Sequence, residues 1–405
     1  MGPHPSHRAA LPALKPVKRW EIHVERKLAA IGLMMVGSLL ATSACSSSKQ
    51  ASTAATDSAT QAATSAGTAS TPPANSSAPA SGAAAAGSGA LIGVDYPRSD
   101  TDFWNAYIRY EPQEAAKVGV TMKTTNSQND VAKLAANVQT LVSEGVKGIV
   151  MAPQDTAAIA PTLQQLNSKN IPVVSIDTRP DTGNVYMVVR ADNKAYGTNA
   201  CQFLGTKLGG KHSVVMLEGD VASINGRDRT DAFASCMKQN FPGIKVHAEP
   251  SKWDAATAAS QLATVLEQDN DVRGVYMESS FALAGTLQDL QSKGLLVPPT
   301  DPKHVFVVSN DGISEELKDI QAGKIDATVS QPADLYAYYG LYYVNAAIQG
   351  KTFSPGPTDH NSNIIQVRPG VLEDQLSAPL VTADGGTYGG ISSLKPNDPS
   401  LWGNG

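Results

Sequence analysis

The sequence predicts an α/β fold of two doubly wound domains, each with a parallel sheet between layers of helices. The first observation is that short apolar runs alternate with helical stretches throughout the chain after Ala90. The second is that these runs are apolar almost throughout, which indicates strands buried on both faces, as in parallel sheets. The third is that the alternation starts over after residue 191, so two similar sets of βα units are predicted.

The first set of units covers residues 90–191. Its strands are expected in the segments LIGVD, VTMKTT, GIVMA, PVVSI and NVYMVV. Its helices are expected at Asp102–Val118, Asp130–Glu144 and Ala157–Lys169. Each helix separates two strands, as a parallel crossover requires.

The second set covers residues 192–331. Its helices are expected at Lys194–Leu208, Asn225–Asn240, Ala255–Gln268, Phe281–Lys293 and Ser314–Ala322, and its strands in SVVMLEG, IKVHAE, GVYME, HVFVVS and IDATVS. A last long helix, Ala333–Ile348, is expected to return to the first domain, which is then completed by residues 332–364. Residues 365–405 are expected to join the second domain, with an added strand and a surface latch that ends in DPSLWGN. The chain therefore crosses three times in this prediction, near Ala191, near Gln331 and between Ile364 and Val367.

The first 44 residues have the order of a secretory signal peptide. Basic residues precede the apolar run Leu28–Ala41, and small residues lead into Cys45. The apolar run is short for a membrane span, which needs about 20 residues. The end of this segment resembles a bacterial lipobox, although Thr42 stands where such boxes usually have Leu. We expect a lipid on Cys45 that anchors the protein to the outer face of the cytoplasmic membrane; ordinary cleavage and an uncleaved anchor are the alternatives.

Residues 45–89 consist mainly of Ala, Ser, Thr, Gly and Pro. Such a segment has almost nothing to bury and is typical of a disordered tether. Residues 1–44 carry six of the 32 Lys and Arg and two of the 37 Asp and Glu, which leaves the remainder with a net charge of −9. This charge argues against a nucleic-acid partner, which would favour a basic face.

The chain has three cysteines. If Cys45 carries a lipid, Cys201 and Cys236 are left as the pair for a disulfide in an oxidising compartment, and two buried free thiols are the alternative. The sequence indicates no metal site, because the seven histidines are scattered and none forms an i, i+4 pair. It indicates no cofactor either: GTKLGGKHS departs from a phosphate-binding loop at His212 and lies between a helix and a strand rather than the reverse.

Two strands end in an aspartate, in the segments VVSIDT and VVSNDG. The simplest interpretation is that Asp177 and Asp311 are N-caps of following helices. In open α/β sheets, however, ligands bind outside the carboxyl ends of the strands. If the two domains face each other at these edges, both carboxylates converge on one small molecule.

The chain resembles the ribose-type periplasmic sugar-binding proteins, the substrate-binding components of ABC importers. The resemblance runs from about Leu91 to Gly350 and rests on eight landmarks in order: the first strand followed by DFW, then NSQND, LVSEGVKGIVMAPQD, IPVVSIDT, ADNKAYG, LEGD…NGRDRTDAF, VVSNDG and ATVSQ. It implies a type I periplasmic-binding-protein fold, in which two domains close on a monosaccharide about a hinge with several crossings. It also implies a monomer that is not an enzyme.

The resemblance implies aromatic contacts with the ligand from both domains. Phe103 and Trp104 are expected to form a wall in the first domain, and Trp253 one in the second. Aromatic faces pack well on the C–H groups of a pyranose or a polyol. The alternative for Trp253 is an ordinary core aromatic.

Polar contacts follow from the same resemblance. Asp177 and Asp311 are expected to accept hydrogen bonds from ligand hydroxyls. Arg227 is expected to donate to ligand oxygens, with Arg229 as the alternative. Gln331 is expected both to bind the ligand and to lie in the hinge.

Three departures from the ribose pattern bear on the ligand. Thr178 follows the first aspartate where ribose binders have Arg, and Arg179 comes one place later. Ser279 and Ser280 replace an Asn-Asp pair. The segment DYPRSDTD adds Arg98 before the aromatic pair. We therefore include Arg98, Thr178 and Ser279 among the ligand contacts and expect a different sugar or a sugar alcohol instead of ribose.

The function implied is capture of a monosaccharide or polyol for the permease and ATPase subunits of an ABC importer. A ligand-sensing receptor for a membrane histidine kinase is the main alternative. An exported carbohydrate-active enzyme is less favoured, because a cleft sized for one monosaccharide leaves no room for a polymer. A transcription regulator is excluded by the export signal and by the lack of a helix-turn-helix segment before Ala90.

Overall fold

Two eight-stranded sheets organise residues 89–405, the part of the chain that this computed structural model describes. The strands are β1 Leu91–Tyr96, β2 Thr121–Asn126, β3 Gly148–Met151, β4 Val173–Ile176, β5 Met187–Ala191, β6 Ser213–Glu218, β7 Lys245–Pro250, β8 Val272–Met277, β9 Phe306–Asp311, β10 Ala327–Ser330, β11 Gly356–Pro357, β12 Asn363–Arg368, β13 Val371–Leu376, β14 Leu380–Thr382, β15 Thr387–Tyr388 and β16 Ile391–Leu394. The α-helices are α1 Asp102–Val118, α2 Val131–Ser143, α3 Ala160–Ser168, α4 Asn193–Lys207, α5 Ile224–Asn240, α6 Ala255–Gln268, α7 Leu283–Ser292, α8 Ser314–Ala322 and α9 Ala333–Ile348. The predicted signal peptide, Cys45 and the predicted tether as far as residue 88 lie outside the described residues.

Each sheet belongs to one lobe. The strand order is β11-β12-β13-β5-β4-β3-β1-β2 in the N-terminal lobe and β15-β16-β14-β10-β9-β8-β6-β7 in the C-terminal lobe. Strands β1 to β5 pair in parallel, and so do β6 to β10. Strands β3, β4 and β5 are buried along their whole length, as strands covered by helices on both faces must be. The predicted pair of doubly wound parallel sheets is confirmed.

Helices α4 and α5 approach each other closely in the C-terminal lobe. A Cβ atom on Gly197 of α4 would lie 2.3 Å from the carbonyl oxygen of Arg229 on α5, so only glycine allows this approach. One turn later on α4, Cys201 forms a disulfide with Cys236 of α5, with the Cα atoms 6.2 Å apart. The close contact fixes the position of Arg229, which matters for the site described below.

The chain crosses between the lobes at three points. The first crossing lies between β5 and α4, and the second between β10 and α9. The third lies between Leu376 and Leu380, and not at Ile364 to Val367 as the sequence predicted. The reason is that β12 and β13 extend the N-terminal sheet, with β13 paired to β5, so that lobe continues to residue 376. The crossing segments are joined by backbone hydrogen bonds from Asp192 N to Leu376 O (3.1 Å) and from Ser330 N to Pro379 O (2.9 Å).

The tail after Leu376 does add strands to the C-terminal lobe, since β14 pairs with β10 and β16 pairs with β14. A short 3-10 turn, Trp402–Asn404, follows. Within residues 89–405, no helix combines the length and the apolar character that a membrane crossing requires.

Candidate functional site

A small cavity lies between the two lobes at the carboxyl ends of their central strands. Its lining comes from both lobes and consists of Arg98, Thr101, Phe103, Trp104, Gln154, Asp177, Asn225, Arg229, Trp253, Ser279, Phe281, Asp311 and Gln331. Eight of the ten residues that the sequence singled out are in this lining; Thr178 and Arg227 are not. The position at facing strand ends is the one that the two aspartates suggested.

The aromatic wall of the N-terminal lobe stands at the start of α1. Thr101 caps this helix by accepting a hydrogen bond from the backbone N–H of Trp104 (3.4 Å). The rings of Phe103 and Trp104 are nearly perpendicular, with centroids 5.2 Å apart, and Phe103 also contacts Tyr336 of α9 at 6.1 Å. The cap and these contacts hold both rings at the cavity.

Trp253 forms the wall of the C-terminal lobe, in the loop between β7 and α6. Both Lys252 and Trp253 have a positive φ, +55° and +61°, which turns the indole back over the end of β6. The ring lies directly on Gly219, where an added Cβ would be 1.9 Å from the indole. Its other neighbour is Phe281, with centroids 5.9 Å apart and the rings perpendicular. The left-handed loop and the glycine together place this ring in the cavity and not in the core.

Asp177 directly follows β4 and has a φ of +60°. The side chain is buried, and its Oδ1 atom has no hydrogen-bond partner among the described residues. Burial raises the pKa of Asp177 to about 6, although the nearby guanidinium groups of Arg229 and Arg190 act in the opposite direction. The next element is the strand β5, so the N-cap interpretation of Asp177 does not apply. An unpartnered buried carboxylate oxygen beside a cavity is an acceptor available to a ligand.

Asp311 ends β9 with a φ of +118°. Its Oδ2 atom accepts hydrogen bonds from Ser279 Oγ (2.6 Å), Ser280 N (2.9 Å) and Ser280 Oγ (2.7 Å). Its Oδ1 atom accepts a longer one from Gln331 Nε2 (3.4 Å). Burial raises the pKa of Asp311 despite the opposing effects of Arg229 and the two serines. The serines that replace the Asn-Asp pair thus orient this carboxylate, which leaves Oδ1 directed to the cavity.

Arg229 supplies the positive charge between these carboxylates. From α5 it donates to Asn193 Oδ1 (2.7 Å), to Gln331 Oε1 (2.9 Å) and to the carbonyl of Glu278. The guanidinium carbon lies 4.6 Å from the ring centroid of Tyr196 and 5.7 Å from that of Trp253. Burial disfavours the charge, but the neighbouring ionisable groups outweigh it and raise the pKa of Arg229.

Arg227 was expected to bind the ligand, and the structure places it elsewhere. Residues two apart on a helix point about 200° apart, so Arg227 and Arg229 occupy opposite sides of α5. Arg227 donates to Asp181 Oδ1 (2.5 Å) and Thr156 Oγ1 (3.1 Å), which belong to the N-terminal lobe. It also donates to the carbonyl of Val221 (2.7 Å) on its own side. Arg227 therefore joins the rims of the two lobes, and Arg229, the alternative, takes the place in the cavity.

Thr178 is also outside the cavity. It is fully buried, and its carbonyl accepts a hydrogen bond from Ser175 Oγ (2.7 Å). The left-handed conformation at Asp177 turns the chain away from the cleft directly after the carboxylate. Arg179 pairs instead with Glu373 in the same lobe, at 2.8 Å. Arg98 lines the cavity, with both ends of its guanidinium group on Asp100.

The sequence reasoning missed Thr101, Gln154, Asn225 and Phe281. Gln154 follows β3 in the segment MAPQD, so the strand-end argument used for the aspartates would have found it. Asn225 lies in the quoted segment NGRDRTDAF, and Phe281 follows the two serines. Thr101 had no signal beyond its position as a helix cap.

The two lobes touch each other beside the cavity as well as at the hinge. Thr156 N donates to the carbonyl of Ala222 across the cleft (3.2 Å). Arg190 of β5 donates to Asn225 Oδ1 (2.9 Å) and to Asp228 Oδ2 (2.8 Å) on α5, and this ion pair is buried. The structure is therefore a closed arrangement of the lobes, in which a molecule in the cavity would contact both.

A model of the family described as periplasmic binding protein domain matches residues 92–352. The chain belongs to this family. The predicted resemblance to its ribose-type members is confirmed: a ribose import binding protein from Haemophilus influenzae is 26% identical over 239 residues, which are 59% of this chain and 79% of that protein. A xylitol-binding protein from Mycolicibacterium smegmatis is 23% identical over 257 residues, which cover 63% of this chain and 69% of that protein.

The type I periplasmic-binding-protein fold is confirmed by solved structures. One is an ABC transporter solute-binding protein from Agrobacterium vitis bound with α-D-tagatopyranose, with a TM-score of 0.63 and 20% identity. The alignment covers 77% of this chain and 97% of that one. Identity this low shows the common fold alone. As a member of the periplasmic binding protein family, the chain has the architecture that such proteins use to enclose a solute.

Proposed function

We propose that this chain is an extracytoplasmic solute-binding lipoprotein that captures a monosaccharide or a sugar alcohol between its lobes and delivers it to an ABC importer. The observation that carries the proposal is the combination, in one interlobe cavity, of two buried carboxylates, a buried guanidinium group and aromatic rings from both lobes. The proposal includes a monomer without enzymatic activity.

The unpartnered atoms in the site support a polyhydroxylated ligand. Asp177 Oδ1 needs a donor, and the indole N–H of Trp253 needs an acceptor. A hydroxyl group is both a donor and an acceptor, so neighbouring hydroxyls on one small molecule satisfy both needs. Between them, the C–H faces of a sugar or a polyol pack on aromatic rings such as Trp104 and Trp253.

The charges in the lining support a neutral ligand. The lining holds the carboxylates of Asp177 and Asp311 and the guanidinium groups of Arg98 and Arg229, so its formal charges cancel. A ligand with a net charge would leave a buried charge uncompensated. The cost would be several kcal/mol, as when one partner of a buried ion pair is removed.

The relatives support the ligand class, a sugar or a sugar alcohol, but do not identify the particular ligand. Their names refer to ribose and xylitol, and the Agrobacterium vitis structure contains a tagatopyranose. A cyclic sugar and an open polyol are thus both represented. The departure at Thr178, which removes a guanidinium group from the cavity, supports a ligand other than ribose.

Calorimetry on the exported protein with Cys45→Ser tests the binding proposal. The ligand panel contains D-ribose, D-allose, D-tagatose, xylitol and myo-inositol, with a uronic acid as the charged control. We expect one neutral ligand to bind. At a concentration of 100 times its Kd, this ligand should stabilise the folded protein by about 2.7 kcal/mol and raise the midpoint of thermal unfolding accordingly. Trp253→Ala should abolish binding, whereas Thr178→Val, a buried change outside the cavity, should retain it. Tight binding of only the charged control would refute the proposal.

Delivery to an importer and the anchor need separate experiments. Uptake of the labelled ligand should be lost when the gene is deleted and restored by the wild-type chain but not by the Trp253→Ala variant. Normal uptake together with a lost ligand-dependent kinase signal would favour the sensory alternative. For the anchor, a clickable palmitate analogue should label the wild-type protein, and Cys45→Ala should remove the label. Labelling that persists in Cys45→Ala would refute the lipid assignment.

A further inference from the structure

The segment Leu401–Asn404, which we call the C-terminal clasp, follows the last strand of the C-terminal lobe. Trp402 in this segment is buried, with only 7% of its surface exposed. Its indole N–H donates to the backbone carbonyl of Asp311 (3.0 Å), one of the two carboxylate residues of the cavity. The same carbonyl also accepts from the backbone N–H of Gln331 (2.9 Å). Trp402 is thus one of two donors to the backbone carbonyl of Asp311, a residue with an unusual φ of +118°.

The clasp is anchored to the C-terminal lobe. The side chain of Asn404 donates to the carbonyls of Pro396 and Asp398, at 2.9 Å each. Gly403 packs so closely on the carbonyl of Gly312 that a Cβ atom would be 2.2 Å from its oxygen, and 3.0 Å from Leu317 of α8. The clasp therefore moves with the C-terminal lobe when the lobes separate.

The clasp also contacts the N-terminal lobe. The ring of Trp402 meets that of Phe103 at 5.9 Å between centroids, with the planes nearly perpendicular. Two turns further along the same face of α1, Tyr110 OH donates to the carbonyl of Trp402 (3.2 Å). Phe103 is one of the aromatic residues that line the cavity, and Trp402 packs against it from outside the lining. Opening of the lobes breaks both contacts, because α1 and the clasp belong to different lobes.

We propose that Trp402 is a positioning residue of the ligand site and that the C-terminal clasp stabilises the closed arrangement of the lobes. Trp402 acts on the ligand through Phe103 in one lobe and through Asp311 in the other. The part that concerns ligand affinity rests on the proposed function; the part that concerns lobe closure does not.

Three variants separate these contributions. Trp402→Phe keeps a ring against Phe103 and removes the hydrogen bond to Asp311, whereas Tyr110→Phe removes only the hydrogen bond between lobes. Each should raise the dissociation rate constant of the ligand about fivefold, as loss of one ordinary hydrogen bond does. Trp402→Ala removes the aromatic pair as well, and the increase should be on the order of tenfold to a hundredfold. Tyr388→Phe is the matched control, because Tyr388 lies in the same tail and its hydroxyl donates to Asp384 within the C-terminal lobe.

Two measurements on the Cys45→Ser protein decide the proposal. Stopped-flow displacement gives the dissociation rate constant, and small-angle scattering without ligand gives the radius of gyration, which should be larger for Trp402→Ala than for the control. A role limited to the stability of the C-terminal lobe would lower the melting temperature and leave both quantities unchanged in Tyr110→Phe and Trp402→Phe. If the ligand dissociation rate constant and the radius of gyration are unchanged in all three variants, the proposed role of the clasp is refuted. If no sugar binds the wild-type protein, the proposed function fails, and the radius of gyration alone decides the clasp.

Discussion

Replacement of Asp311 by Asn tests the central feature of the site, since it removes one charge and leaves the shape almost unchanged. The Oδ2 position has three donors from Ser279 and Ser280, so the amide oxygen of the variant should occupy it. The amide NH2 group then replaces Oδ1, where it faces Gln331 Nε2 and the cavity. The ligand thereby loses a charged acceptor and meets a donor instead.

The magnitude follows from this exchange. A hydrogen bond to a charged group contributes about 1.5–3 kcal/mol, so the Kd should rise about 10-fold to 150-fold. The stability of the ligand-free protein should change in the opposite direction. Burial raises the pKa of Asp311 above its unfolded value, so at pH 7 the folded state holds a carboxylate that its environment disfavours. Removal of that charge should maintain or raise the melting temperature.

Calorimetry gives the Kd, and thermal unfolding gives the stability of the same preparation. The matched control is Asp374→Asn, a fully buried carboxylate that accepts hydrogen bonds from Tyr343 and Ser362 in the N-terminal lobe. This control should lower the melting temperature and leave the Kd unchanged. An Asp311→Asn variant with wild-type Kd would show that the carboxylate is not a ligand acceptor and would refute the argument from the strand ends.

Three further results are expected. Affinity should fall as the pH drops through about 6, because burial raises the pKa of Asp177 to that value and its protonated form is a weaker acceptor; pH titrations of the Kd should lose this step in Asp177→Asn. Arg227→Met should raise the ligand dissociation rate about 1.4-fold to fivefold, since the pair with Asp181 is one-third exposed and such pairs contribute about 0.2–1 kcal/mol; an identical rate would show that the rim bridge does not contribute to closure. Reduction of the disulfide between Cys201 and Cys236 should lower the free energy of unfolding by roughly 2–4 kcal/mol, measured by urea titration with and without reductant; coincident titrations would contradict this.

Most of the fold could be predicted because its central strands are apolar and their helices are regular. The third crossing could not. Strand β13 contains Glu373 and Asp374, two acidic residues that are fully buried. Glu373 pairs with Arg179, which is 194 residues away, and Asp374 is held by Tyr343, His360 and Ser362. A local pattern of charge gives no sign of these partners. A strand with buried acidic residues therefore resembles a surface segment, and the N-terminal lobe was predicted to end too early.

The site residues likewise fall into those that local sequence and topology predict and those that depend on contacts between distant segments. Residues at strand ends and at the start of α1 could be predicted, because topology alone brings those positions to the cleft. The choice between Arg227 and Arg229 could not, since it depends on the rotation of α5 about its axis. That rotation is set by the close contact between Gly197 and the carbonyl of Arg229, a contact between two helices. Trp402 was predicted only as part of a surface latch, because its contacts with Phe103 and Asp311 join segments far apart in the chain.

The contacts between the lobes bear on how affinity is set in this protein. A ligand shifts the population towards the closed state only by the difference between its affinities for the two states. The buried pair of Arg190 and Asp228, the rim bridge of Arg227 and the contacts of Trp402 with α1 join the two lobes and involve no ligand. Each of them raises the fraction of binding-competent protein before the ligand arrives, and the apparent Kd is inversely proportional to that fraction. Substitutions outside the cavity can therefore change the affinity for every ligand by the same factor, whereas substitutions at Asp177 or Asp311 change the order of preference among ligands.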